Sequence, residues 1–218
     1  MRAAFDQRFN RLMKNNSITV DGVILAAGSA SRMGEAKQLF LFRGKRLLEW
    51  VLEHAQNSAL RQVIVVLGYE AQQIRRKIDF CNARVIVNEG YAMGQSTSVC
   101  CGLSLVSATC DAVMFLLGDQ PLISSSVIDS LIDAYEREKA PITVPVYHGK
   151  KGNPVIIDRS LFPALETLTG DTGAKQLFGA YDGQIHYVEV IAPEILLDID
   201  THTDYQRLKQ LEENSDEP

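Results

Sequence analysis

Short apolar runs alternate with segments of helical periodicity over most of this chain. The runs are nearly continuous in Val, Ile, Leu and Ala, which is typical of strands buried on both faces. Between them, apolar residues recur at helical spacing, as at Leu48, Val51, Leu52 and Ala55, and this predicts amphipathic helices. The predicted strands are residues 22–28, 62–68, 83–88, 111–119 and 185–190, and the predicted helices are residues 47–56, 70–78, 96–106 and 124–140.

Strands joined by helices predict an α/β fold in which a mostly parallel, doubly wound sheet has helices on both faces. The regular alternation of strands and helices ends after Ala140. Residues 142–158 predict a small antiparallel excursion, two strands around a turn at 149–152. Two short helices, a strand-like stretch at 195–200 and a polar helix from Thr203 complete the pattern. We expect a single domain over residues 20–210, an N-terminal extension over 1–19 and a flexible tail over 211–218.

Composition narrows the classes of function. The 218 residues carry a net charge of -5, which argues against broad nucleic-acid binding. The cysteines, Cys81, Cys100, Cys101 and Cys110, form no C-x-x-C spacing, so reduced thiols are expected rather than zinc ligands or disulfides. The sequence has neither a bilayer-length apolar run nor the apolar core of a signal peptide. We therefore expect a cytoplasmic protein with neither nucleic acid nor membrane as a partner.

The loop after the first predicted strand has the composition of an anion site. In "VILAAGSASRMGEAKQL", Gly28 and Gly34 bracket Arg32, and Lys37 follows. Glycines let backbone N–H groups converge on an anion, and Arg and Lys form charge-assisted hydrogen bonds to phosphate. The loop lacks both the P-loop pattern and G-x-G-x-x-G. Taken alone, it predicts either a phosphate-binding loop or an ordinary turn with solvated cations.

Two aspartates are candidates for a metal site at the same sheet edge, because ligands bind beyond the carboxyl ends of parallel strands. Asp119 follows the most apolar strand, and Asp200 lies near the chain end. Asp198 and Asp200 would share one face if their segment is a strand. Carboxylates from distant segments suit Mg²⁺ bound to a triphosphate. The alternatives are a turn cap before Pro121 and a helix cap before Thr201.

Five ordered elements carry a resemblance to a known family. They are Leu25-Ala26-Ala27-Gly28 with Arg32-Met33-Gly34 and Lys37, then Gly118-Asp119-Gln120-Pro121, Gly152-Asn153-Pro154, Gly170-Asp171-Thr172-Gly173-Ala174, and Leu197 to Thr201. Over residues 20–208 the chain resembles the MobA-like nucleotidyltransferases, most closely their molybdenum cofactor cytidylyltransferase branch. It departs from the family pattern at Ala30, Ala36 and His202, where Ser, Pro and Pro are frequent.

The resemblance implies a Rossmann-like fold of the glycosyltransferase-A type and transfer of CMP from CTP to the phosphate of molybdopterin. It implies catalytic roles for Arg32, Lys37 and Asp119, and a Mg²⁺ site, with Mn²⁺ as an alternative, at Asp119 and Asp200. The implied nucleotide-binding residues are Leu25, Ala26, Ala27, Gly28, Arg32, Gly34, Lys37, Gly68, Ser96, Gly118 and Asp119. The implied pterin-binding residues are Gly152, Asn153, Pro154, Asp171 and Gly173. A recipient molybdoenzyme is a further expected partner.

Two details of the resemblance bear on the nucleotide. The pair Ala26-Ala27 resembles the CTP-using branch, whereas guanylyltransferase relatives tend to have a glycine there, which would leave more room beside the base. Ser96 or Thr97 is predicted to cap a helix, and the resemblance places that helix N-terminus near the nucleotide.

Other functions remain open. A related transferase could use GTP or a sugar or polyol phosphate, and a non-catalytic molybdenum cofactor chaperone is a further alternative, although Lys37 and Asp119 favour catalysis. An NAD(P)-binding oxidoreductase is an alternative of a different class. The missing G-x-G-x-x-G argues against it, as does Gly68-Tyr69 where an acidic residue would close the second strand.

Overall fold

The fold is organised around one mixed sheet. The structure is a computed structural model that describes residues 18–28 and 34–213. Predictions about residues 1–17, 29–33 and 214–218 lie outside the described residues. The strands are β1 (Val20–Ala26), β2 (Leu41–Phe42), β3 (Lys45–Arg46), β4 (Val63–Leu67), β5 (Arg84–Val87), β6 (Ala112–Leu117), β7 (Ile142–Tyr147), β8 (Lys150–Lys151), β9 (Val155–Asp158) and β10 (Ile185–Glu189).

The strand order confirms the predicted fold class. The main sheet has the order β10-β7-β9-β6-β1-β4-β5, with β8 paired to β7, and a separate small sheet joins β2 to β3. Strands β5, β4, β1 and β6 run parallel, whereas β9 is antiparallel to both β6 and β7. The antiparallel excursion predicted over residues 142–158 is therefore part of the main sheet. As a result, the start of β9 lies at the same sheet edge as the end of β6.

Helices cover both faces of the sheet. Alternate residues of β1 enter opposite apolar clusters: Ile24 packs in one with Leu48 and Leu131, and Val23 in the other with Val99. This explains the continuous apolar character of the strand. The helices are α1 (Leu47–Gln56), α2 (Ala71–Lys77), α3 (Gln95–Leu103), α4 (Ser125–Glu138), α5 (Phe162–Glu166), α6 (Leu177–Ala180) and α7 (His202–Glu213).

One prediction about the later chain is wrong. The stretch 195–200 is not a strand, because Pro193–Leu196 forms a 3-10 turn and residues 197–200 have no regular structure. The segment instead crosses the sheet edge, and the Ile199 N–H donates to the Asp119 carbonyl at 3.2 Å. Helix α7 continues to Glu213 and so includes the first residues of the expected tail, whose flexibility stays a prediction.

The N-termini of α3 and α7 differ from the predicted caps. Helix α3 begins after Gly94 and has no side-chain cap, and the Thr97 hydroxyl donates to the Gly94 carbonyl at 2.8 Å. At α7, the Thr201 hydroxyl accepts the Asp204 N–H at 3.2 Å. Asp200 is therefore not the cap of this helix. Among the described residues, no helix combines the length and apolar character needed to cross a bilayer.

The contact between α3 and the sheet leads to a first prediction. A Cβ atom at position 102 would lie 2.4 Å from Cγ1 of Val23, a stiff β-branched side chain. Gly102→Ala should therefore lower the free energy of unfolding by about 1–3 kcal/mol through overpacking. Urea unfolding followed by circular dichroism measures this change.

Gly179→Ala is the matched control, because position 179 lies in α6 with no heavy atom within 4 Å of the added Cβ. Alanine there should stabilise the helix by up to about 1 kcal/mol. Equal effects of the two substitutions would contradict the close packing of α3.

Candidate active site

An open cleft of about 640 Å³ lies where β1 and β6 end. Leu25 and Leu117 are register partners, so the residues that follow each strand emerge at the same level. Gly118 allows a close approach, because a Cβ there would lie 2.8 Å from that of Ala26. The cleft is lined by Leu25, Ala26, Ala27, Gly28, Lys37, Gln38, Tyr91, Ala92, Met93, Gly94, Gln95, Ser98, Leu117, Gly118, Asp119, Gly170, Asp171, Asp198 and Asp200.

Lys37 joins the two predicted metal ligands. Its Nζ donates to Asp119 Oδ2 at 2.5 Å and to Asp200 Oδ1 at 2.6 Å. Burial by itself lowers the pKa of Lys37, but the combined interactions with Asp119 and Asp200 outweigh it and raise the pKa. The ammonium is therefore charged at neutral pH and holds the two carboxylates close together.

The second oxygen of Asp119 makes the site suitable for a cation. Asp119 Oδ1 is buried and has no hydrogen-bond partner among the described residues. A buried carboxylate oxygen without a partner is unfavourable, and a hard divalent cation would satisfy it. In the described part of the chain, no three His, Cys, Asp or Glu side chains form a complete metal site. Asp119 and Asp200 could still hold a divalent cation as a pair, because such ions can bind through one or two carboxylates with substrate phosphates completing the shell.

Asp198 adds a third carboxylate to the cluster. Its Oδ1 accepts a hydrogen bond from Gln120 Nε2 at 2.8 Å. Burial, followed by the charges of Asp119 and Asp200, raises the pKa of Asp198. The ammonium of Lys37 offsets part of the mutual repulsion, and the site as a whole is suited to cations and to cation-bound phosphates.

The predicted anion site at the N-terminus of α3 is occupied by the protein itself. The Gln95 N–H donates to Asp171 Oδ1 at 3.1 Å, and the Ser96 N–H donates to the Gly170 carbonyl at 3.1 Å. Two glycines permit this approach. A Cβ at Gly94 would lie 2.5 Å from the Gly170 oxygen, and Gly173, at φ +54°, faces Gln95 Oε1. Asp171 therefore docks its loop onto α3 while lining the cleft.

Several predicted residues lie beside the cleft rather than in it. Ser96 is 2% exposed, and its neighbours Gln95 and Ser98 line the cleft in its place. Gly68 packs against Ala27, where a Cβ would lie 2.7 Å from the Ala27 carbonyl oxygen. It borders a separate groove along α2.

The Gly152–Asn153–Pro154 element is also buried outside the cleft lining, against Ile195. The contact of these three residues with a bound acceptor therefore stays a prediction. Gly34 is exposed at φ +72°, and Arg32 lies outside the described residues.

Two buried glutamines at the site were missed by the sequence reasoning. Gln38 donates to the Ala26 carbonyl at 2.9 Å and so supports the end of β1. Gln120 lies within the G-D-Q-P element, but the sequence pattern was not used to assign it a function. Its position next to Asp119 could have identified it as a residue of the site. The wall formed by Tyr91, Ala92 and Met93 had no comparable signal, because it is a short turn without a distinctive motif.

With this geometry established, comparison with known proteins decides the family. The MobA-like NTP transferase domain matches residues 22–185. The chain belongs to this family. Among curated relatives, the molybdenum cofactor cytidylyltransferase of Escherichia coli K12 is 28% identical over 193 residues, 88% of this chain and 96% of that protein. The nicotine blue oxidoreductase of Paenarthrobacter nicotinovorans is 30% identical over 165 residues, 72% of this chain and 79% of that protein.

Solved structures agree with the family assignment. Rv0371c from Mycobacterium tuberculosis H37Rv superposes with a TM-score of 0.81 at 29% identity, covering 89% of this chain and 100% of that one. A structure of Rv0371c in complex with manganese has a TM-score of 0.78 at 28% identity, covering 88% of this chain and 98% of that one. A nucleotidyl transferase from Methanothermobacter thermautotroptrophicus superposes with a TM-score of 0.77 at 20% identity, covering 91% of this chain and 99% of that one. The fold is therefore that of nucleotidyltransferases of the Rossmann-like type.

The charge balance around Lys37 leads to a second prediction. Lys37→Met leaves Asp119, Asp198 and Asp200 without their ammonium, so the free energy of unfolding at about pH 8 should fall by roughly 2 kcal/mol. Burial and the charges of Asp119 and Asp200 already raise the pKa of Asp198 in the wild type, and without the ammonium this pKa should lie still further above its unfolded value. At pH values above the unfolded pKa, the folded variant binds more protons than the unfolded chain. The loss of unfolding free energy should therefore shrink as the pH falls toward about 5.

Lys45→Met is the matched control, because Lys45 pairs with Glu53 in a largely exposed position. Its effect should stay within about 1 kcal/mol. A loss in Lys37→Met that does not depend on pH would count against the electrostatic explanation.

Proposed function

We propose that this protein transfers CMP from CTP to the phosphate of molybdopterin, forming molybdopterin cytosine dinucleotide and pyrophosphate. The observation that carries the proposal is the contact of Lys37 with Asp119 and Asp200 directly beside the Leu25–Gly28 loop. Similarity to the E. coli cytidylyltransferase over most of both chains supports this choice of substrates.

The reaction requires alignment and charge neutralisation rather than a protein nucleophile. A phosphate oxygen of the acceptor attacks the α-phosphorus of CTP, a new P–O bond forms, and the bond to the β-phosphate breaks as pyrophosphate leaves. Lys37 would stabilise the charge on the leaving pyrophosphate. Asp119 and Asp200 would hold Mg²⁺ or Mn²⁺, which would supply further positive charge to the phosphate oxygens. A relative solved with manganese is consistent with such a cation.

The preference for CTP rests on the pair Ala26-Ala27. Both side chains are buried beneath the cleft, and the Ala27 methyl lies against Gly68. A glycine at either position would widen this edge of the cleft, so the two methyls favour a pyrimidine over a larger purine. GTP is the alternative nucleotide, and a sugar or polyol phosphate is the alternative acceptor. A chaperone role for the bound cofactor is compatible with transfer and is not needed to explain the site.

An oxidoreductase is the second candidate function. It is favoured by the 30% identity to a protein named nicotine blue oxidoreductase. The sequence lacks a G-x-G-x-x-G dinucleotide loop, and β4 ends at Gly68-Tyr69 rather than at a ribose-binding carboxylate. We therefore rank this candidate below the transferase.

The third prediction tests the transferase directly. Pyrophosphate release should require Mg²⁺ or Mn²⁺ and molybdopterin, and CTP should support it better than the other three nucleoside triphosphates. Asp119→Asn should reduce the rate by about 10²- to 10³-fold, because one fixed charge of the site is lost. It should also weaken binding of Mn²⁺, measured by electron paramagnetic resonance.

Asp182→Asn serves as a control at an exposed aspartate outside the cleft lining. It should behave like the wild type in both assays. Release that ignores molybdopterin would redirect the assignment to another acceptor, and a near-wild-type rate in Asp119→Asn would overturn the role of Asp119.

A fourth prediction separates the two candidate functions. Because no ribose-binding carboxylate closes β4, the wild-type protein should not oxidise NADH or NADPH in the presence of nicotine blue, followed as loss of absorbance of the reduced nicotinamide. Turnover in this assay, together with no pyrophosphate release, would replace the transferase with the oxidoreductase.

A further inference from the structure

The position of Asp200 depends on a segment without regular structure. We call residues 193–200 the aspartate segment; it crosses the carboxyl edge of the sheet and ends at the Lys37 contact. No strand pairing holds residues 197–200 in place. Apolar anchors exist at Ile195 and Ile199, which are buried in different clusters. Something must also fix the backbone between them if Asp200 is to stay beside Asp119.

Gln120 makes the required contacts. It is 2% exposed, and its Nε2 donates to the Ile195 carbonyl at 3.3 Å and to Asp198 Oδ1 at 2.8 Å. Both partners are acceptors, so the two protons of the amide nitrogen match the two oxygens. The backbone adds a third connection, because the Asp119 carbonyl accepts the Ile199 N–H at 3.2 Å. Two consecutive residues after β6 therefore hold the aspartate segment at both ends.

The Gly152–Asn153–Pro154 element also holds the aspartate segment in place, through the Ile195 carbonyl. Because β9 runs antiparallel to β6, the residues before β9 reach the edge where β6 ends. The Asn153 N–H donates to the Ile195 carbonyl at 3.1 Å. A Cβ at Gly152 would lie 2.6 Å from that same oxygen, so the approach needs a glycine. The Ile195 carbonyl thus accepts hydrogen bonds from Gln120 and Asn153 and lies close to the backbone of Gly152.

We infer that Gln120 is a positioning residue that sets the location of Asp200 relative to Asp119 and Lys37, with Gly152–Asn153–Pro154 as its structural support. Gln120 acts through Asp198 and Ile195 and lies outside the cleft lining. The effect on the aspartate segment follows from these contacts alone, whereas the effect on catalysis rests on the proposed function.

Hydrogen–deuterium exchange of the unliganded protein tests the positioning without assuming any activity. Gln120→Met keeps the length of the side chain but removes both hydrogen bonds, so exchange at Ile199 and across residues 195–200 should accelerate by about tenfold. Gln56→Met is the matched control, because Gln56 Nε2 donates to the Phe80 carbonyl at 2.9 Å away from the cleft. It should leave exchange in the aspartate segment unchanged. Equal exchange there in wild type and Gln120→Met would overturn the inference.

A second pair of variants guards against a general loss of folding. Gln120→Glu places a carboxylate against Asp198, and adding Asp198→Asn restores one N–H donor to the contact. The double variant should protect the aspartate segment better than Gln120→Glu alone. Gly152→Ala, which leaves Gln120 intact, should loosen the same segment. A double variant no better protected than Gln120→Glu would show that the contact with Asp198 does not hold the segment.

Kinetics connect the positioning to catalysis. In the cytidylyl transfer assay, Gln120→Met should lower kcat by about tenfold or more and leave KM for CTP nearly unchanged, because a misplaced Asp200 affects the reacting geometry. Faster exchange with an unchanged kcat would overturn the catalytic part of the inference. Absence of transfer in the wild type would overturn the proposed function while leaving the exchange result valid.

Discussion

The site depends on one ammonium shared between two carboxylates. Asp119 is 82 residues from Lys37 in the sequence and Asp200 is 163 residues away, yet both carboxylates contact its Nζ. In such a cluster, the attraction between the ammonium and the carboxylates offsets both the repulsion between the carboxylates and the unfavourable burial of charge. Within residues 18–28 and 34–213, Asp119 Oδ1 has no hydrogen-bond partner. A site whose single ammonium offsets only part of the negative charge, and which has one oxygen without a described partner, is suited to a cation and the phosphates that accompany it.

The topology explains why these groups meet. The parallel strands β1 and β6 end at the same level, which brings the Gly28 loop and Asp119 to one edge. The antiparallel β9, inserted between β6 and β7, brings the turn before it to that edge as well. The aspartate segment then crosses the edge and is held from both sides. Cleft and support thus come from one arrangement of strands, and the transfer that we propose would be carried by side chains at the edge of the cleft.

Sequence reasoning succeeded where a local pattern has one dominant physical cause. Continuous apolar runs and amphipathic periodicity identified the parallel strands and the longer helices, and the strand-end rule placed Lys37 and Asp119 at one edge. Asp200 reaches the same edge, but on a segment that is not the predicted strand. Sequence reasoning failed where tertiary contacts override local preference. The sequence of residues 195–200, ILLDID, begins with three apolar residues and ends in an alternation of polar and apolar ones, which is typical of a strand. Pro193 nevertheless begins a 3-10 turn, and the Ile199 N–H donates to the Asp119 carbonyl instead of to a neighbouring strand.

The remaining differences have the same origin. The N-terminus of α3 offered hydroxyl residues for a cap, yet Asp171, from a loop distant in sequence, bonds to it instead. Gly152–Asn153–Pro154 is a recognisable motif, but nothing local reveals that it packs on Ile195. Gln120 shows the limit most clearly, because a buried amide with two acceptors is a property of the fold and not of the tetrapeptide that contains it.

The most direct measurement is a crystal structure of the protein with CTP and Mn²⁺, in which anomalous scattering locates the metal. The account predicts manganese bound to Asp119 Oδ1 and to the nucleotide phosphates, with Lys37 Nζ contacting the triphosphate beside the Leu25–Gly28 loop. Manganese and nucleotide bound elsewhere, or a nucleotide in the cleft whose phosphates avoid Lys37 and Asp119, would contradict it.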